Sequence, residues 1–225
     1  MADFSMILAA AVHDMKNSLS LMMGSIEEIA EELEHATDEQ KRKINSLHYE
    51  ANRLNTSMVH ILSLYRAQEL TLPINLDEHY LIDLFNDIQT ANAPYLRMRG
   101  ITLEIDVPSD LSAYLDYDLT FVLLNDMVIN AMRYCRSRIR LHGSIDGQYT
   151  LIQVDDDGPG YPQAMLDSAE MDMQQVELSS GRTGLGIYFA RMIAEAHEIH
   201  GHNGKIALQN AGDFNGSQFS LWLPR

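Results

Sequence analysis

The N-terminal third of the chain repeats apolar residues at alternating intervals of four and three positions. This repeat aligns its members along one narrow stripe of an α-helix, as is typical of helices packed in bundles or coiled coils. A second stripe follows after a short polar stretch, in which Thr37 or Asp38 can cap the second helix. The first stripe consists of Phe4, Leu8, Val12, Met15, Leu19, Met22, Ile26, Ile29 and Leu33, and the second of Ile44, Leu47, Ala51, Leu54, Met58, Ile61 and Tyr65.

Two such helices joined by a short connection predict an antiparallel hairpin over residues 1–70. One narrow seam on each helix is not buried well by a single hairpin. The pattern therefore favours two copies that pair into a four-helix bundle, that is, a homodimer. The alternative is that both stripes pack against the rest of the same chain, but the length and regularity of the seams favour the dimer.

Beyond residue 73 the long helical pattern is replaced by shorter segments, some with the periodicity of helices and some with that of strands. Pro73 disfavours a helical conformation at Leu72, so the linker is placed at 72–75 and a second domain at 75–225. Helices are expected at 80–98, 118–134 and 185–197, and strands at 101–107, 137–141, 149–154, 205–208 and 218–223. Because several strands are adjacent in sequence, they predict an antiparallel or mixed sheet. The predicted fold class is α+β, a helical hairpin followed by an α/β sandwich.

The charge and cysteine content exclude several classes of protein. A net charge of −16 argues against nonspecific binding to nucleic acid or to anionic membranes. Cys135 is the only cysteine, which excludes an intramolecular disulfide framework and a cysteine-rich metal site. No apolar run approaches the roughly 20 residues that span a bilayer, and the first residues lack the features of a signal peptide. We therefore expect a soluble cytoplasmic protein without a direct membrane span.

A histidine lies one position off the first helical stripe. His13 should therefore face solvent, with Asn17 one turn further along the same face. The adjacent Asp14 can accept the proton of one ring nitrogen and so raise the nucleophilicity of the other. A solvated surface pair explains the same residues, so this feature is weak evidence by itself.

The predicted helix at 118–134 carries three polar residues on one face. Asp126, Asn130 and Arg133 are spaced by four and three positions, which makes them neighbours on a helix. A carboxylate and a carboxamide offer hard oxygen ligands to Mg²⁺, and a guanidinium suits phosphate. Ordinary polar residues near a helix end explain this pattern equally well when it is considered alone.

Two glycine-containing stretches complete the set of candidate site residues. Asp156, Gly158 and Gly160 follow a predicted strand, where glycine allows close approach and an acid can accept a hydrogen bond from an exocyclic amine such as that of adenine. A calcium loop is the weaker interpretation, because too few spaced oxygen ligands follow. The stretch Gly184, Leu185 and Gly186 opens a helix, whose backbone amides attract phosphate. It is not a P-loop, because no Gly-Lys-Ser/Thr ends it.

The order of these pieces resembles that of the bacterial sensor-type histidine kinases of two-component signalling. Residues 13–17 are similar to the H-box of that family, 126–134 to the N-box, 156–160 to the G1 box and 184–186 to the G2 box. Residues 216–224 are similar to the terminal strand of its GHKL-type ATP-binding domain. Each motif is moderately specific, but four in this order after a helical hairpin are highly specific.

The resemblance implies an enzyme that transfers the γ-phosphoryl group of ATP to His13 and then to an aspartate of a response-regulator receiver domain. Asp14 would orient the ring and act as general base, and Asn17 would orient water for dephosphorylating the regulator. Asn130 and Asp126 would hold Mg²⁺. The other ATP-binding residues that the resemblance implies are Arg133 and Tyr134, Asp156 at the adenine, and Gly158, Gly160, Gly184, Leu185 and Gly186.

The resemblance also implies a mobile ATP lid at 161–183 and a sensory input partner of unknown identity. Three residues depart from the family pattern without removing an indispensable functional group. Ser18 replaces a usual proline, Asp126 replaces a more frequent Asn or Glu, and Arg182 replaces the first glycine of the G2 box. The alternatives are a phosphotransfer or scaffold protein of the same fold that does not use ATP, and a GHKL-type ATPase in which Asp126 activates water.

Overall fold

The computed structural model describes residues 17–19, 21–26, 28–29, 37, 39–40, 43–44, 47, 51, 54, 74–170, 184–210 and 212–225. The chain divides into two compact units, Met1–Thr71 and Leu72–Arg225. Within the described ranges, no helix is long and apolar enough to cross a membrane.

The described residues of the first unit are helical, apart from Thr37. Thr37 and Gln40 form a reciprocal capping box at the start of the second helical segment. The backbone N–H of Thr37 donates to Gln40 Oε1 at 2.9 Å, and the N–H of Gln40 donates to Thr37 Oγ1 at 3.3 Å. Because the first N–H groups of a helix lack partners within it, this pair stabilises the helix start. Thr37 is thus the cap, one of the two predicted candidates.

Residues from both predicted stripes form one hydrophobic cluster in the first unit. Leu19 and Ile26 of the first stripe and Ala51 of the second are buried, and Ile44 and Met23 pack against them. The alternate members of the same stripes are exposed: Met22 by 44%, Ile29 by 48%, Leu47 by 60% and Leu54 by 50%. Among the described members of each stripe, every second residue packs inside the unit and the others remain on its surface; the other members of the two stripes lie outside the described residues.

The described part of the second unit contains nine strands and four helices. In chain order they are β1 (Asp77–Tyr80), α1 (Leu81–Arg99), β2 (Thr102–Asp106), β3 (Ser112–Leu115), α2 (Tyr117–Tyr134), β4 (Arg138–Asp146), β5 (Tyr149–Asp156), α3 (Gln163–Glu170), α4 (Gly184–Ala196), β6 (Glu198–Ile199), β7 (His202–Asn203), β8 (Lys205–Gln209) and β9 (Gln218–Pro224).

The main sheet has five strands in the order β2-β4-β5-β9-β8. The pair β2–β4 is parallel, with Leu103 opposite Ile139, and the other three pairs are antiparallel. Strands β1 and β3 form a separate antiparallel pair, and so do β6 and β7. The prediction of a mixed sheet is therefore confirmed.

One face of the main sheet packs against helices α1, α2 and α4. Side chains alternate between the two faces of a strand, so every second residue of β4, β5 and β9 faces this layer. The buried side chains of the sheet are Ile139, Leu141, Ile152, Val154, Phe219 and Leu221, and those of the helices include Leu84, Phe85, Ile88, Leu123, Leu124, Val128, Phe189 and Ile193.

The helix ends follow from local chemistry. Asp116 caps α2, because its side chain accepts a hydrogen bond from the N–H of Leu119 at 3.0 Å. Helix α1 ends at Gly100, whose φ of 64° is the left-handed conformation that glycine adopts readily. The three predicted helices match the observed α1, α2 and α4 to within one residue at each end.

The prediction missed β1, β3, α3, β6 and β7. Strand β1 has no buried residue, so its sequence lacks the apolar alternation that marks a strand. Strands β6 and β7 are two residues long, which is too short for any periodicity. Strands β1, β6 and β7 are therefore defined by backbone pairing with another strand rather than by their own pattern.

Candidate functional site

The polar face of α2 is open to solvent near the C-terminal end of the helix. Asn130, Arg133 and Tyr134 are exposed and Asp126 is partly buried. Burial raises the pKa of the Asp126 carboxyl group to about 6. The Arg133 guanidinium carbon lies 5.3 Å from the centre of the Tyr134 ring, within the range of a cation–π contact.

The Asp156 carboxylate lies at the end of β5 and is buried. The N–H of Gly158 donates to Asp156 Oδ1 at 2.6 Å, and the Ser217 hydroxyl donates to Oδ2. The N–H of Asp156 also donates to the carbonyl oxygen of Ser217 at 3.0 Å. The carboxylate is therefore oriented from two sides, by its own turn and by the start of β9.

Gly158 brings the turn at 156–160 against the end of α2. A Cβ atom at this position would lie 2.7 Å from the carbonyl oxygen of Tyr134 and 2.6 Å from Asp156 Oδ1. Real side chains do not tolerate such distances, so only glycine fits here. The structure thus places Asp156 next to the end of the helix that carries Asp126, Asn130 and Tyr134.

The neighbouring Asp157 has a structural role. Its carboxylate accepts hydrogen bonds from the backbone N–H groups of Arg136, Ser137 and Arg138, at 2.8, 3.0 and 3.2 Å, and from the Ser137 hydroxyl at 2.9 Å. Burial raises the pKa of Asp157, but these hydrogen bonds outweigh it and hold the pKa at about 2. Asp157 therefore ties the acidic turn to the start of β4.

Asp155 is fully buried and forms an ion pair. Arg140 contacts Asp155 Oδ2 through Nη2 at 2.6 Å and Nε at 3.2 Å, and Gln218 Nε2 donates to Oδ1 at 2.5 Å. Arg140 also contacts the exposed Asp213 at 2.7 Å. These contacts join β4, β5 and β9 beside the candidate site.

The sequence interpretation missed Ser217 and Asn210 as site residues. Ser217 was assigned only to the terminal strand, yet it holds Asp156 across 61 positions of sequence. Asn210 Oδ1 accepts a hydrogen bond from the N–H of Tyr161 at 2.6 Å, and its Nδ2 donates to the carbonyl oxygen of Tyr161 at 2.9 Å. No local signal predicts contacts between such distant segments.

Some predicted site residues lie outside the described part of the chain. These are His13 and Asp14, together with Arg182 and residues 171–183 of the predicted lid. Asn17 is helical and exposed, and Gly184, Leu185 and Gly186 are the first described residues of α4. Among the described residues, no three His, Cys, Asp or Glu side chains are grouped to hold a metal ion.

Residues 116–225 match the family model described as "Histidine kinase-, DNA gyrase B-, and HSP90-like ATPase". The chain is 22% identical over 226 residues to the adaptive-response sensory kinase SasA of Synechococcus sp. (strain JA-3-3Ab), covering 97% of this chain and 58% of that protein. It is 25% identical to the signal transduction histidine-protein kinase AfsQ2 of Streptomyces coelicolor, covering 95% of this chain and 40% of the relative. The chain thus spans about half the length of these relatives.

Solved structures show the same fold. The histidine kinase AdeS of Acinetobacter baumannii matches 92% of this chain and 95% of its own, with a TM-score of 0.61 and 18% identity. Full-length ShkA, solved in complex with AMPPNP, matches 96% of this chain and 45% of its own, with a TM-score of 0.63 and 19% identity. These findings confirm the resemblance inferred from the four motifs. They identify residues 116–225 as a domain of the histidine kinase-, DNA gyrase B- and HSP90-like ATPase family, in a chain that resembles the catalytic core of sensor histidine kinases over nearly its whole length.

Proposed function

We propose that this chain is the catalytic core of an ATP-dependent histidine kinase. It would phosphorylate His13 and pass the phosphoryl group to an aspartate of a response-regulator receiver domain. The observation that carries the proposal is the buried Asp156 carboxylate, which Gly158 holds beside the end of α2. This arrangement puts a group suited to adenine next to groups suited to phosphate and Mg²⁺.

Asp156 has the chemistry to recognise the adenine amine. An ionised carboxylate has about four positions that accept hydrogen bonds. Gly158 and Ser217 occupy one on each oxygen, which leaves acceptor positions for a ligand donor. Because both oxygens are already oriented by the protein, little further ordering is needed when the nucleotide binds.

Asp126 and Asn130 would hold Mg²⁺ together with the nucleotide phosphates. They supply one carboxylate and one carboxamide from adjacent turns of α2. Mg²⁺ usually takes one or two protein carboxylates and completes its shell with phosphate oxygens and water, so a small set of protein ligands fits it. A bound Mg²⁺ would favour the ionised form of Asp126, whose pKa burial raises to about 6. It would offset the charge of the transferred phosphoryl group.

The remaining α2 residues and the backbone at the start of α4 would position the triphosphate. Arg133 is exposed and offers a guanidinium to phosphate oxygens. Gly184, Leu185 and Gly186 are the first described residues of α4. Their backbone N–H groups would lie at the positive end of the helix dipole, which favours an anion. Gly160 has a φ of 85°, which lets the acidic turn end in a conformation that other residues rarely adopt.

In the proposed reaction, one ring nitrogen of His13 attacks the γ-phosphorus of ATP. The bond between that phosphorus and the β–γ bridging oxygen breaks, and ADP leaves. Asp14 accepts the proton of the other ring nitrogen and keeps the ring in the reactive tautomer. A receiver-domain aspartate then takes the phosphoryl group from His13, and Asn17 would orient water when the regulator is dephosphorylated.

The first unit would work as a homodimer. Among the described residues of each stripe, alternate apolar side chains are buried or partly buried within the unit and the others are 44% to 60% exposed. A second copy that covers Met22, Ile29, Leu47 and Leu54 would complete a four-helix bundle. Sedimentation of wild type should give a dimer, and Leu47→Glu with Leu54→Glu should give a monomer. The proposed use of ATP places this core in the cytoplasm, with the input supplied by a sensory partner.

Incubation with γ-labelled ATP and Mg²⁺ tests the kinase directly. The wild-type chain should acquire label that is lost in acid and retained in base, because a phosphoramidate hydrolyses in acid. His13→Ala should abolish the label, whereas His202→Ala, an exposed histidine of β7, should leave it unchanged. Label that persists in His13→Ala would contradict the phosphoacceptor assignment.

The labelling experiment and a calorimetric titration with ATP separate the alternative functions. Release of free phosphate without labelled protein would indicate an ATPase in which Asp126 activates water. Failure to bind ATP in a calorimetric titration would indicate a phosphotransfer or scaffold protein. The orientation of Asp156 favours the nucleotide-binding alternatives over the scaffold.

A further inference from the structure

The acidic turn packs against the loop between β8 and β9. At Asp156 the two segments continue the β5–β9 ladder, since the N–H of Asp156 donates to the carbonyl oxygen of Ser217 at 3.0 Å. Gly216 packs against the middle of the turn, where a Cβ would lie 2.7 Å from the backbone nitrogen of Gly158. Only glycine allows this approach. The first half of the turn is therefore held by contacts between two backbones.

The second half of the turn lies beyond the ladder and is held by a side chain instead. Asn210 Oδ1 accepts a hydrogen bond from the N–H of Tyr161 at 2.6 Å, and Asn210 Nδ2 donates to the carbonyl oxygen of Tyr161 at 2.9 Å. In an antiparallel ladder, a residue of the partner strand accepts from and donates to one residue in the same way. The Asn210 amide thus takes the place of a partner strand at the end of the turn.

Gly160 makes room for this contact. A Cβ there would lie 2.8 Å from Asn210 Cγ, which is closer than real side chains come. Gly160 also has a φ of 85°, a conformation that other residues rarely adopt. The close approach of the amide and the shape of the turn therefore depend on the same glycine.

The hold on Tyr161 extends to the candidate ligand group through the backbone. Four residues separate Tyr161 from Asp156, and the N–H of Gly158 among them donates to Asp156 Oδ1 at 2.6 Å. Because Ser217 and Asn210 hold opposite ends of this segment, they fix where the Gly158 N–H lies. The orientation of the Asp156 carboxylate then depends on both ends of the turn.

We infer that Asn210 is a positioning residue for nucleotide binding, which holds the second half of the acidic turn so that Asp156 is oriented toward the base. The inference rests on the proposed function and concerns the same site. The ligand class is a purine nucleotide with an amino group at position 6. Since Asn210 acts through the turn, its effect falls on recognition of the base rather than on binding of the phosphates.

The test compares two nucleotides that differ at the recognised group. Calorimetric titrations of the full chain with ATP and with inosine triphosphate separate the two contributions, because inosine carries a carbonyl oxygen in place of the amine. Wild type should prefer ATP, since a carboxylate accepts hydrogen bonds and has none to donate to that oxygen. Asn210→Ala should weaken ATP binding by about 3- to 10-fold and inosine triphosphate binding by less than about 2-fold.

Asn203→Ala is the matched control. Asn203 lies in β7 and is also exposed, and its Nδ2 donates to the carbonyl oxygen of Glu195 at 2.7 Å. This variant likewise removes an asparagine amide that is bound to the backbone, but not one that contacts the acidic turn. Both nucleotides should bind it as they bind wild type.

Hydrogen exchange of the Tyr161 amide tests the contact without a nucleotide. Exchange followed by NMR in the full chain should be about 10-fold faster in Asn210→Ala than in wild type, because the N–H loses its acceptor. Asn203→Ala should exchange this amide at the wild-type rate. Equal rates in Asn210→Ala and wild type would overturn the inference.

The titrations distinguish this inference from the proposed function. An unchanged ratio of the two affinities in Asn210→Ala, with ATP-selective binding by wild type, would overturn the inference alone. Equal weakening of both nucleotides, or failure of Asn210→Ala to fold, would also overturn it, because Asn210 would then be a purely structural residue. Absence of ATP binding by wild type would overturn the proposed function as well.

Discussion

The two halves of the candidate site differ in how their polar groups are satisfied. In the acidic turn, Asp155, Asp156 and Asp157 each have protein hydrogen-bond partners, several shorter than 3 Å. On α2, by contrast, Asn130 and Arg133 extend their polar groups into solvent. The turn is therefore ordered before any ligand binds, whereas the α2 face presents groups that a ligand can still engage.

Burial explains this difference for Asp155 and Asp156. A carboxylate removed from water is costly unless hydrogen bonds replace its hydration, so the turn must supply partners from its own fold. Exposed side chains are hydrated and need no such partners. In the proposed kinase, the ordered half would recognise the adenine and the open half would engage the phosphates and metal, whose geometry changes during the reaction.

The largest expected effect comes from breaking the buried ion pair of the ordered half. Arg140→Met leaves Asp155 buried with Gln218 as its remaining partner. We expect the free energy of unfolding to fall by about 3 kcal/mol, because an uncompensated buried charge is strongly destabilising. Urea denaturation followed by circular dichroism measures this change. The control Asp213→Asn removes only the exposed arm of the pair and should cost less than about 0.5 kcal/mol. An equal decrease in the free energy of unfolding in the two variants would show that the buried Arg140–Asp155 contact contributes no more to stability than the exposed Arg140–Asp213 contact.

The next effect concerns ligand recognition by the ordered half. Asp156→Asn replaces an acceptor-only carboxylate with an amide, whose NH₂ group meets either Ser217 or the adenine amine. ATP affinity should fall by about 30- to 100-fold, as expected for losing a hydrogen bond to a charged group. Calorimetric titration with ATP measures the loss. Asp213→Asn again serves as control, and affinity within about 3-fold of wild type in Asp156→Asn would contradict the assigned role.

A smaller effect on stability is expected at Asp126, which is partly buried and lies on α2 with the open half. The pKa of Asp126 is raised from 3.8 to about 6, so this carboxylate ionises less readily in the folded state than in the unfolded state. Its contribution is neutral below pH 4, becomes destabilising between pH 4 and 6, and stays destabilising above. Asp126→Asn should therefore stabilise the chain at pH 7 by about 1 to 2 kcal/mol and have little effect at pH 3.5.

Thermal unfolding of Asp126→Asn and wild type across this pH range tests the prediction. Because Asn keeps an oxygen ligand and loses the charge, the same variant should weaken Mg²⁺-dependent labelling of His13. If Asp126→Asn and wild type had the same stability at pH 7 as well as at pH 3.5, the Asp126 carboxylate would be well hydrated in the folded state. Asp126 would then belong to the open half of the site.

The smallest effect is expected on the open half. Arg133→Met keeps the aliphatic stem and removes the exposed guanidinium. The free energy of unfolding should stay within about 0.5 kcal/mol of wild type, because exposed surface substitutions rarely do more. ATP affinity should fall by about 3- to 10-fold through loss of a phosphate contact. A stability loss as large as that of Arg140→Met would remove the distinction between the two halves.

The sequence predicted the elements that carry a long apolar pattern. Helices α1, α2 and α4 each bury one stripe against the sheet, so their periodicity marks them to within one residue at each end. Strand β1 has no buried residue, and β6 and β7 are two residues long, so their sequences lack the apolar alternation that would predict a strand. Their existence depends on a partner strand.

The candidate site was predicted in part for a similar reason. Asp156, Gly158 and Asn130 belong to short motifs whose order along the chain is visible in the sequence. Ser217 and Asn210 act on the turn from 61 and 49 positions away, so no spacing indicates them.

The three consecutive aspartates show what the sequence by itself determined and what the tertiary structure decided. The sequence determined that an acidic, glycine-containing turn follows a strand, because local alternation and glycine content are properties of neighbouring residues. The motif shared with Gly158 and Gly160 singled out Asp156, but the sequence assigned no role to Asp155 or Asp157. Asp155 forms an ion pair with Arg140, and Ser217 orients Asp156, the candidate ligand group. Asp157 accepts hydrogen bonds from the backbone N–H groups at 136–138. Only the tertiary structure assigned the roles of Asp155 and Asp157 and identified the partners of Asp156, because a carboxylate takes its role from the groups that replace its water, and folding brings those groups from other strands and loops.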